Sequence, residues 1–243
     1  MENQRPITSE KIEMIDGSPS RDFSFFENEI DRGECAAWFS MQRFPLLAWL
    51  PKPTTILDVG ANVGAASVFF ALNYPDATIH AYEPNPECWN LLELNTVGLN
   101  VEIHRYGLAY CKQAATLRTG PASALASCVS KSAGTLNLGT HQTTLQSVYE
   151  EIPDHAKGGW WLSLDVEGME RGIIQGVMEL PEWKSPDVIF VEFHSEKFRR
   201  ELEQTLNEYW LCFGRITGPH RGELLYVRNE CVPDDVLADE ITE

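Results

Sequence analysis

The run Leu57-Asp58-Val59-Gly60-Ala61-Asn62-Val63-Gly64-Ala65 constrains the fold of this chain more than any other stretch. It comes off an apolar segment, Thr55 to Val59, that reads as a buried strand, and it leads directly into a helical pattern over Gly64 to Leu72. Glycine at 60 lets the chain turn sharply and leaves a ligand room against bare backbone, while glycine at 64 lets the helix approach the strand closely. Backbone N–H groups then point into the crevice at the strand's carboxyl end. A second apolar run, Thr78 to Tyr82, ends in Glu83-Pro84-Asn85, about 20 residues beyond the glycine loop, and an acid there can accept both hydroxyl protons of a ribose. A turn that needs glycine for packing alone, beside a solvated Glu83, would explain either feature but not their spacing.

The kind of nucleotide follows from what the loop lacks. A dinucleotide fingerprint requires glycine where Asn62 stands, so close approach of a pyrophosphate is hindered, and no G-K-[ST] follows as in a phosphate-binding P-loop. S-adenosylmethionine carries no phosphate and suits the loop better. The residues expected to bind it are Asp58, Gly60, Asn62, Gly64, Glu83 and Asn85, with Asp58 either ordering the loop or reaching the amino group of a bound amino-acid moiety.

The remaining pattern extends this start into an α/β chain. A helix over Pro86 to Thr96 and a strand over Val101 to Arg105 follow, then an extended pair over Leu108 to Arg118. The Ser-, Thr- and Gly-rich stretch from Thr119 to Thr144 offers little core and reads as a long loop or weak hairpin. Beyond a short helix near Leu145 to Glu151 come strand Trp160 to Val166, helix Met169 to Leu180, strand Val188 to Phe193 and helix Glu196 to Tyr209. Two last strands, Trp210 to Ile216 and Glu223 to Arg228, pair antiparallel at the sheet edge. The fold expected is Rossmann-like: a mostly parallel sheet with an antiparallel edge hairpin and a helical N-terminal extension. Residues 1–50 divide into a loose arm of about twenty residues and two cap helices broken near Gly33 and Pro45; residues 51–229 form the cofactor-binding domain and 230–243 a fraying acidic tail.

Charge and cysteine usage narrow the partners. With 36 acidic against 19 basic residues and a net charge of -17, the chain repels nucleic-acid phosphates, so no nucleic-acid substrate is expected. The six cysteines are scattered with no C-x-x-C pair, which fits a reduced cytoplasm. No apolar run approaches the roughly 20 residues that span a bilayer. A homo-oligomer is compatible with the aromatic N-terminal segment, which can dock on a partner protomer or on its own sheet.

Polar residues at the carboxyl ends of strands are the candidates for chemistry. Asp165 and Glu167 share one side if their strand persists that far, and could serve as base and substrate clamp or together bind a divalent cation. Glu170 reads as a helix N-terminal charge. Glu192 and His194 end the next strand on one side, and His194, which titrates near neutrality, is the best candidate for a general base or for hydrogen bonding the acceptor hydroxyl. His104, His141, His155 and His220 do not end a strand beside an acid and rank below it. Trp160 and Trp161, on opposite faces of one strand, both read as core. Trp38, Phe25 and Phe26 read as packing on the sheet, with a lid over the cofactor as the alternative.

The segments Asp58-Val59-Gly60-Ala61-Asn62-Val63-Gly64, Tyr82-Glu83-Pro84-Asn85-Pro86, Leu164-Asp165-Val166-Glu167-Gly168-Met169-Glu170 with Gly176, and Val191-Glu192-Phe193-His194 resemble, in order and spacing from about residue 54 to 228, the FkbM-type S-adenosylmethionine-dependent methyltransferases. The resemblance implies a class I methyltransferase fold and, most often, O-methylation of a hydroxyl in a sugar, natural product or glycan. An amine or carboxylate acceptor stays open. The rivals are a nicotinamide-dependent oxidoreductase, against which Asn62 argues, and a non-catalytic interaction domain.

Overall fold

A computed structural model of the chain describes residues 5–12, 20–120, 122, 126–128, 139–155, 159–181, 184–218 and 220–239. Where a loose arm was expected, β1 (Ile7–Ile12) and β2 (Arg21–Phe26) pair antiparallel from Ile7 opposite Phe26 to Ile12 opposite Arg21. The reason lies outside the hairpin. Asn95 accepts a hydrogen bond from the Ser24 amide at 2.8 Å and donates to the Ser24 carbonyl at 2.7 Å, supplying backbone partners that local sequence does not reveal. Phe23, Phe25 and Phe26 are buried beneath it, as core rather than lid. One helix, α1 (Glu29–Phe39), replaces the two expected. Asn28 caps it by accepting from the Asp31 amide, and it runs through Gly33 without interruption. Residues 40–50 then pass over the sheet as turns that bury Arg43, Phe44 and Leu50.

The expected alternation follows as β3 (Thr55–Val59), α2 (Ala65–Asn73), β4 (Thr78–Tyr82), α3 (Trp89–Thr96) and β5 (Val101–His104). The extended pair divides into β6 (Gly107–Ala109) and β7 (Gln113–Thr119), which join β8 (Gly139–Ser147) in a separate sheet of order β6-β8-β7. The Thr119 to Thr144 stretch thus ends in a strand paired with β7 from Thr119 opposite Gly139 onward, the weak-hairpin alternative; residues 121, 123–125 and 129–138 lie outside those described. Because β8 continues to Ser147, the next helix, α4 (Val148–His155), starts later than expected. Then come β9 (Trp160–Leu164), α5 (Glu170–Met178), β10 (Val188–Phe193), α6 (Glu196–Thr205), β11 (Tyr209–Gly218) and β12 (Arg221–Arg228). The tail does not fray at once: a 3-10 turn at Asn229–Cys231 and α7 (Asp234–Asp239) follow, with Val232 buried on the core.

The main sheet has the order β11-β12-β10-β9-β3-β4-β5. Five strands are parallel, and β12 runs antiparallel to both β10 and β11, the edge hairpin that was expected. Every residue of β3, β9 and β10 is buried, as strands covered on both faces must be. Trp161 faces Phe44, Phe70 and Tyr74, while its neighbour Trp160 enters the opposite layer with Leu57, Ile173 and Ile189, so alternation sends one tryptophan to each face. Trp38 packs on Phe69, Phe70 and Phe190 with ring centroids 5.3–5.5 Å apart. Successive strands step one way from β3 through β4 to β5 and the other way from β9 to β10. The order reverses between β3 and β9, and ligands of open α/β sheets bind at the carboxyl ends of the strands flanking such a point. Among the described residues, no helix is long and apolar enough to cross a membrane.

Candidate active site

A cleft opens at that reversal, lined by Asp58, Gly60, Asn62, Glu83, Asp165, Glu167 and Glu192, with Trp38, Arg43 and Arg221 from the N-terminal segment and the edge hairpin. Gly60 has φ +91°, and a Cβ there would lie 1.8 Å from the Asp165 carbonyl oxygen, so the loop is seated directly against the end of β9. Only glycine satisfies both conditions. Gly60→Ala is therefore expected to lower the thermal midpoint by several degrees and to weaken binding of S-adenosylhomocysteine, checked by melts with and without that ligand. Gly64 also has a positive φ, but its would-be Cβ meets Leu92 of α3 at 2.8 Å; it permits close packing of α2 on α3 rather than on a strand, and it shapes the loop from behind.

Glu83, at the end of β4, is 6% exposed and accepts the Asn62 amide on Oε2 at 2.7 Å and the Asn85 amide on Oε1 at 2.6 Å. Each oxygen keeps a further lone pair, the arrangement a pair of vicinal hydroxyls requires. Burial pushes its pKa up to about 7 against the pull of the two amide bonds. Asn62 sits at φ +51°, in the left-handed region that asparagine tolerates, and its backbone N–H is already committed to Glu83. Asn85 is fully buried, its Oδ1 accepting the Glu87 amide at 3.1 Å; it fixes the turn that presents Glu83 and does not line the cleft. Asp58 accepts from Ser67 Oγ at 2.5 Å and from Ser163, its partner across β3 and β9, and burial raises its pKa to about 6 despite those bonds.

The candidate catalytic residues converge on an ionic cluster. Glu192 of β10 stands directly opposite Glu223 of β12, a like-charge pairing that destabilises a sheet unless a cation compensates it. The cation is Arg43. Its buried guanidinium places Nη1 2.8 Å from Glu34, Nη2 3.1 Å from Asp165 and in contact with Glu192, and Nε 2.9 Å from Glu223, with the group 5.3 Å above the Trp38 ring. Burial and the neighbouring Asp165 raise the pKa of Glu192 well above the carboxylate range. Asp165, partly desolvated but exposed to the cleft, is held below that range by Arg43 and by a hydrogen bond with Glu192. The shared guanidinium and the contact between the two acids thus push their proton affinities apart, with Asp165 the more acidic of the pair.

Neither Arg43 nor Arg221 stood out in sequence. Arg221 opens β12 and donates from Nε to Glu192 at 2.7 Å and from Nη2 to Glu167 at 2.6 Å. The available signal was an arginine set between Trp38 and Phe44 in a chain with few basic residues, which suggests burial but not which acids it meets.

The strand carrying Asp165 does not persist to Glu167; β9 ends at Leu164, and Glu167 takes φ +48° before Gly168 at +107°. The turn, not alternation, brings Glu167 beside His194. His194 Nδ1 lies 2.8 Å from Glu170, and Nε2 lies 3.4 Å from Glu167 and 3.5 Å from Glu192. Glu170 also accepts the Gly168 amide at 2.9 Å ahead of α5. Burial lowers the histidine pKa, but Glu167 and Glu170 outweigh it and raise the pKa to about 11. Arg221 Nη2, 3.0 Å from Nε2, would suit an unprotonated ring, yet the two carboxylates Glu167 and Glu170, within 3.4 Å, outweigh one guanidinium. As an imidazolium, His194 has no lone pair with which to act as a base at neutral pH.

Asp165, Glu167 and His194 place one donor atom each within 4.8 Å of one another, the geometry of the divalent-cation alternative. Arg43 and Arg221 already face those atoms, and a dication would have to displace a guanidinium held by several carboxylates. The arrangement suits arginine and does not suit a metal.

The chain superimposes on the Methanococcus jannaschii fibrillarin pre-rRNA processing protein over 94% of its own length and 86% of that chain, with a TM-score of 0.52 at 10% identity, a likeness of fold alone. It also aligns with M. jannaschii TYW2, solved in complex with AdoMet, over 94% of this chain and 89% of that one, with a TM-score of 0.48 at 12% identity. In sequence it is 43% identical over 49 residues to methyltransferase sdnD of Sordaria araneosa, a match spanning 20% of this chain and 19% of that protein. The methyltransferase FkbM domain model matches residues 58–212, from Asp58 of the glycine loop through Glu83, Asp165 and Glu192 into β11. That span contains the whole reversal point of the sheet and well over half of the chain, and the protein belongs to the FkbM methyltransferase domain family.

Proposed function

We propose that this protein is an S-adenosylmethionine-dependent methyltransferase acting on a hydroxyl of a small sugar-like or natural-product acceptor, or of a glycan intermediate. The observation that carries the cofactor reading is Glu83: a buried carboxylate with one free lone pair on each oxygen, at the mouth of a loop whose Asn62 amide is already committed. Its surroundings point the same way. Glu34, Asp58, Asp165 and Glu167 line the cleft together with Glu83, so the field there favours a cationic sulfonium and opposes a pyrophosphate. When bound, S-adenosylmethionine supplies an electrophilic methyl group. Glu83 would hold the ribose hydroxyls, and Asp58 with the backbone beyond Gly60 would border the amino-acid end.

Asp165 is the residue assigned to the acceptor. It lines the cleft, its side chain is 29% exposed, and it stays ionised beside Arg43. Asp165 Oδ would accept the proton of an acceptor hydroxyl held in line with the methyl group that the cofactor would supply. Glu192 and Arg43 hold Asp165 in place, and the His194 imidazolium orients Glu167 and Glu170 rather than abstracting a proton. A positioned general base contributes about 10²–10⁴-fold, so Asp165→Asn is expected to lose that much kcat while S-adenosylhomocysteine binds with unchanged affinity. Isothermal titration paired with a turnover assay on a panel of polyols tests this; full turnover in the variant would remove Asp165 from the reaction.

A further inference from the structure

None of the side chains that converge on β4 and the edge strand β5 at His80, Glu102 and His104 lines the cleft. His80 is paired in register with Glu102, and His104 follows on the same face of β5, so strand geometry alone places the three side by side. His104 does end a strand near an acid, contrary to the sequence expectation. His80 Nδ1 lies 3.1 Å from His104 Nε2 and 3.5 Å from Glu102 Oε2, and one donor atom from each residue falls within 4.8 Å of the others. In a tetrahedral zinc site with Zn–N bonds of about 2.0–2.1 Å, neighbouring donors stand about 3.3–3.4 Å apart. The two distances fall on either side of that value.

We propose that His80, Glu102 and His104 form a site for one divalent cation of the zinc class, with solvent as the fourth ligand. The groups behind His104 are arranged as such a ligand requires. Tyr106 Oη lies 2.9 Å from Glu151 Oε2, and a carboxylate can only accept, so the hydroxyl proton is spent there. The phenol oxygen is left to accept from His104 Nδ1–H at 3.2 Å, which fixes the tautomer whose Nε2 lone pair faces His80. A hydrogen bond of this kind at the far ring nitrogen orients histidine ligands in metal sites. The Tyr82 ring, stacked on His104 at 4.4 Å and 13°, holds the imidazole plane. His80 is 6% exposed whereas the Glu102 side chain is 61% exposed, so the site is walled on the protein side and open to water where the fourth ligand enters. An N–H···N bond between the histidines would account for their separation, but not for Glu102 opposite them. The cation would clamp the short edge strand β5 to β4.

The test is titration of the full chain, free of any histidine tag, with Co²⁺ alone and then competition with Zn²⁺. One saturable equivalent with the strong visible d–d absorption of four-coordinate Co²⁺ is expected, displaced by Zn²⁺, with a rise of about 5–10 °C in thermal midpoint at a hundredfold excess of Zn²⁺ over its Kd. Glu102→Gln, at an exposed position, should fold normally and bind at least tenfold more weakly, and Tyr106→Phe should weaken binding about 10–100-fold. His104→Ala should lose the equivalent. Absence of saturable binding, unchanged affinity in Glu102→Gln, or an equivalent that survives His104→Ala and disappears in Glu167→Gln would overturn the proposal, the last placing the metal in the cleft.

Discussion

Arg43→Ala is expected to lose about 3–5 kcal/mol of folding stability at neutral pH, read as a fall in the urea midpoint at unchanged slope. The guanidinium is 3% exposed and compensates Glu34, Asp165, Glu192 and Glu223 at once, so its removal leaves carboxylates stranded in a place where water replaces it poorly. The size of the loss comes from those orphaned acids rather than from the attraction itself. The deficit must therefore shrink as pH falls, because protonation relieves acids that have lost their cation. A second variant separates charge from shape. Arg43→Lys keeps the charge but offers no planar fork, and it should recover only part of the stability. Equal stability of Arg43→Ala and wild type across pH would show that the cluster is not what seats the N-terminal segment on the sheet.

Glu83→Ala is expected to weaken S-adenosylhomocysteine binding by about 10²-fold or more, since two hydrogen bonds to a charged acceptor contribute about 1.5–3 kcal/mol each. The pH dependence gives an independent reading. Burial holds the Glu83 pKa near 7, above its ordinary value of 4.5, and the ligand hydroxyls need the ionised form. Affinity should thus rise with pH up to about 7 and flatten above it, with one proton released on binding at the acid end. The ligand-free fold should show the opposite slope. A raised carboxyl pKa contributes stability that is complete below 4.5 and disappears as pH climbs through about 7, so ligand binding and stability trade places across that window. Glu83→Gln should bind weakly with no slope. Calorimetry from pH 5.5 to 8.5 with melts of each variant checks both; wild-type affinity in Glu83→Ala would remove the cofactor assignment.

Whether the acceptor is a hydroxyl, an amine or a carboxylate falls to the Asp165→Asn experiment, because an amine nucleophile places a smaller demand on a base. The raised His194 pKa makes that choice sharper. On the proposed reading, with His194 held as an imidazolium, proton removal would fall to the Asp165 carboxylate.

The chain's local chemistry determined the alternation of strands and helices from Thr55 to His104 and from Trp160 to Arg228, the sharp turn at Gly60 and the acid at the end of β4, because each depends on periodicity or on a backbone conformation that few residues adopt. The same is true of the two tryptophans of β9, which period-two alternation sends to opposite faces. What tertiary structure decided is of a different physical kind. The hairpin of β1 and β2 exists because Asn95, some seventy residues away, offers its side-chain amide to Ser24, and no local pattern encodes that partner. Gly64 turned out to serve α3 rather than a strand, which depends on where Leu92 falls. His194 was legible as a residue near a strand end but not as an imidazolium, because its proton is held by Glu167 and Glu170, brought near by a left-handed turn. Arg43 was least legible of all. Its role arises only when α1, β9, β10 and β12 converge and four acids from separate parts of the chain meet one cation; electrostatic energy depends on distance through space, and the sequence records only distance along the chain.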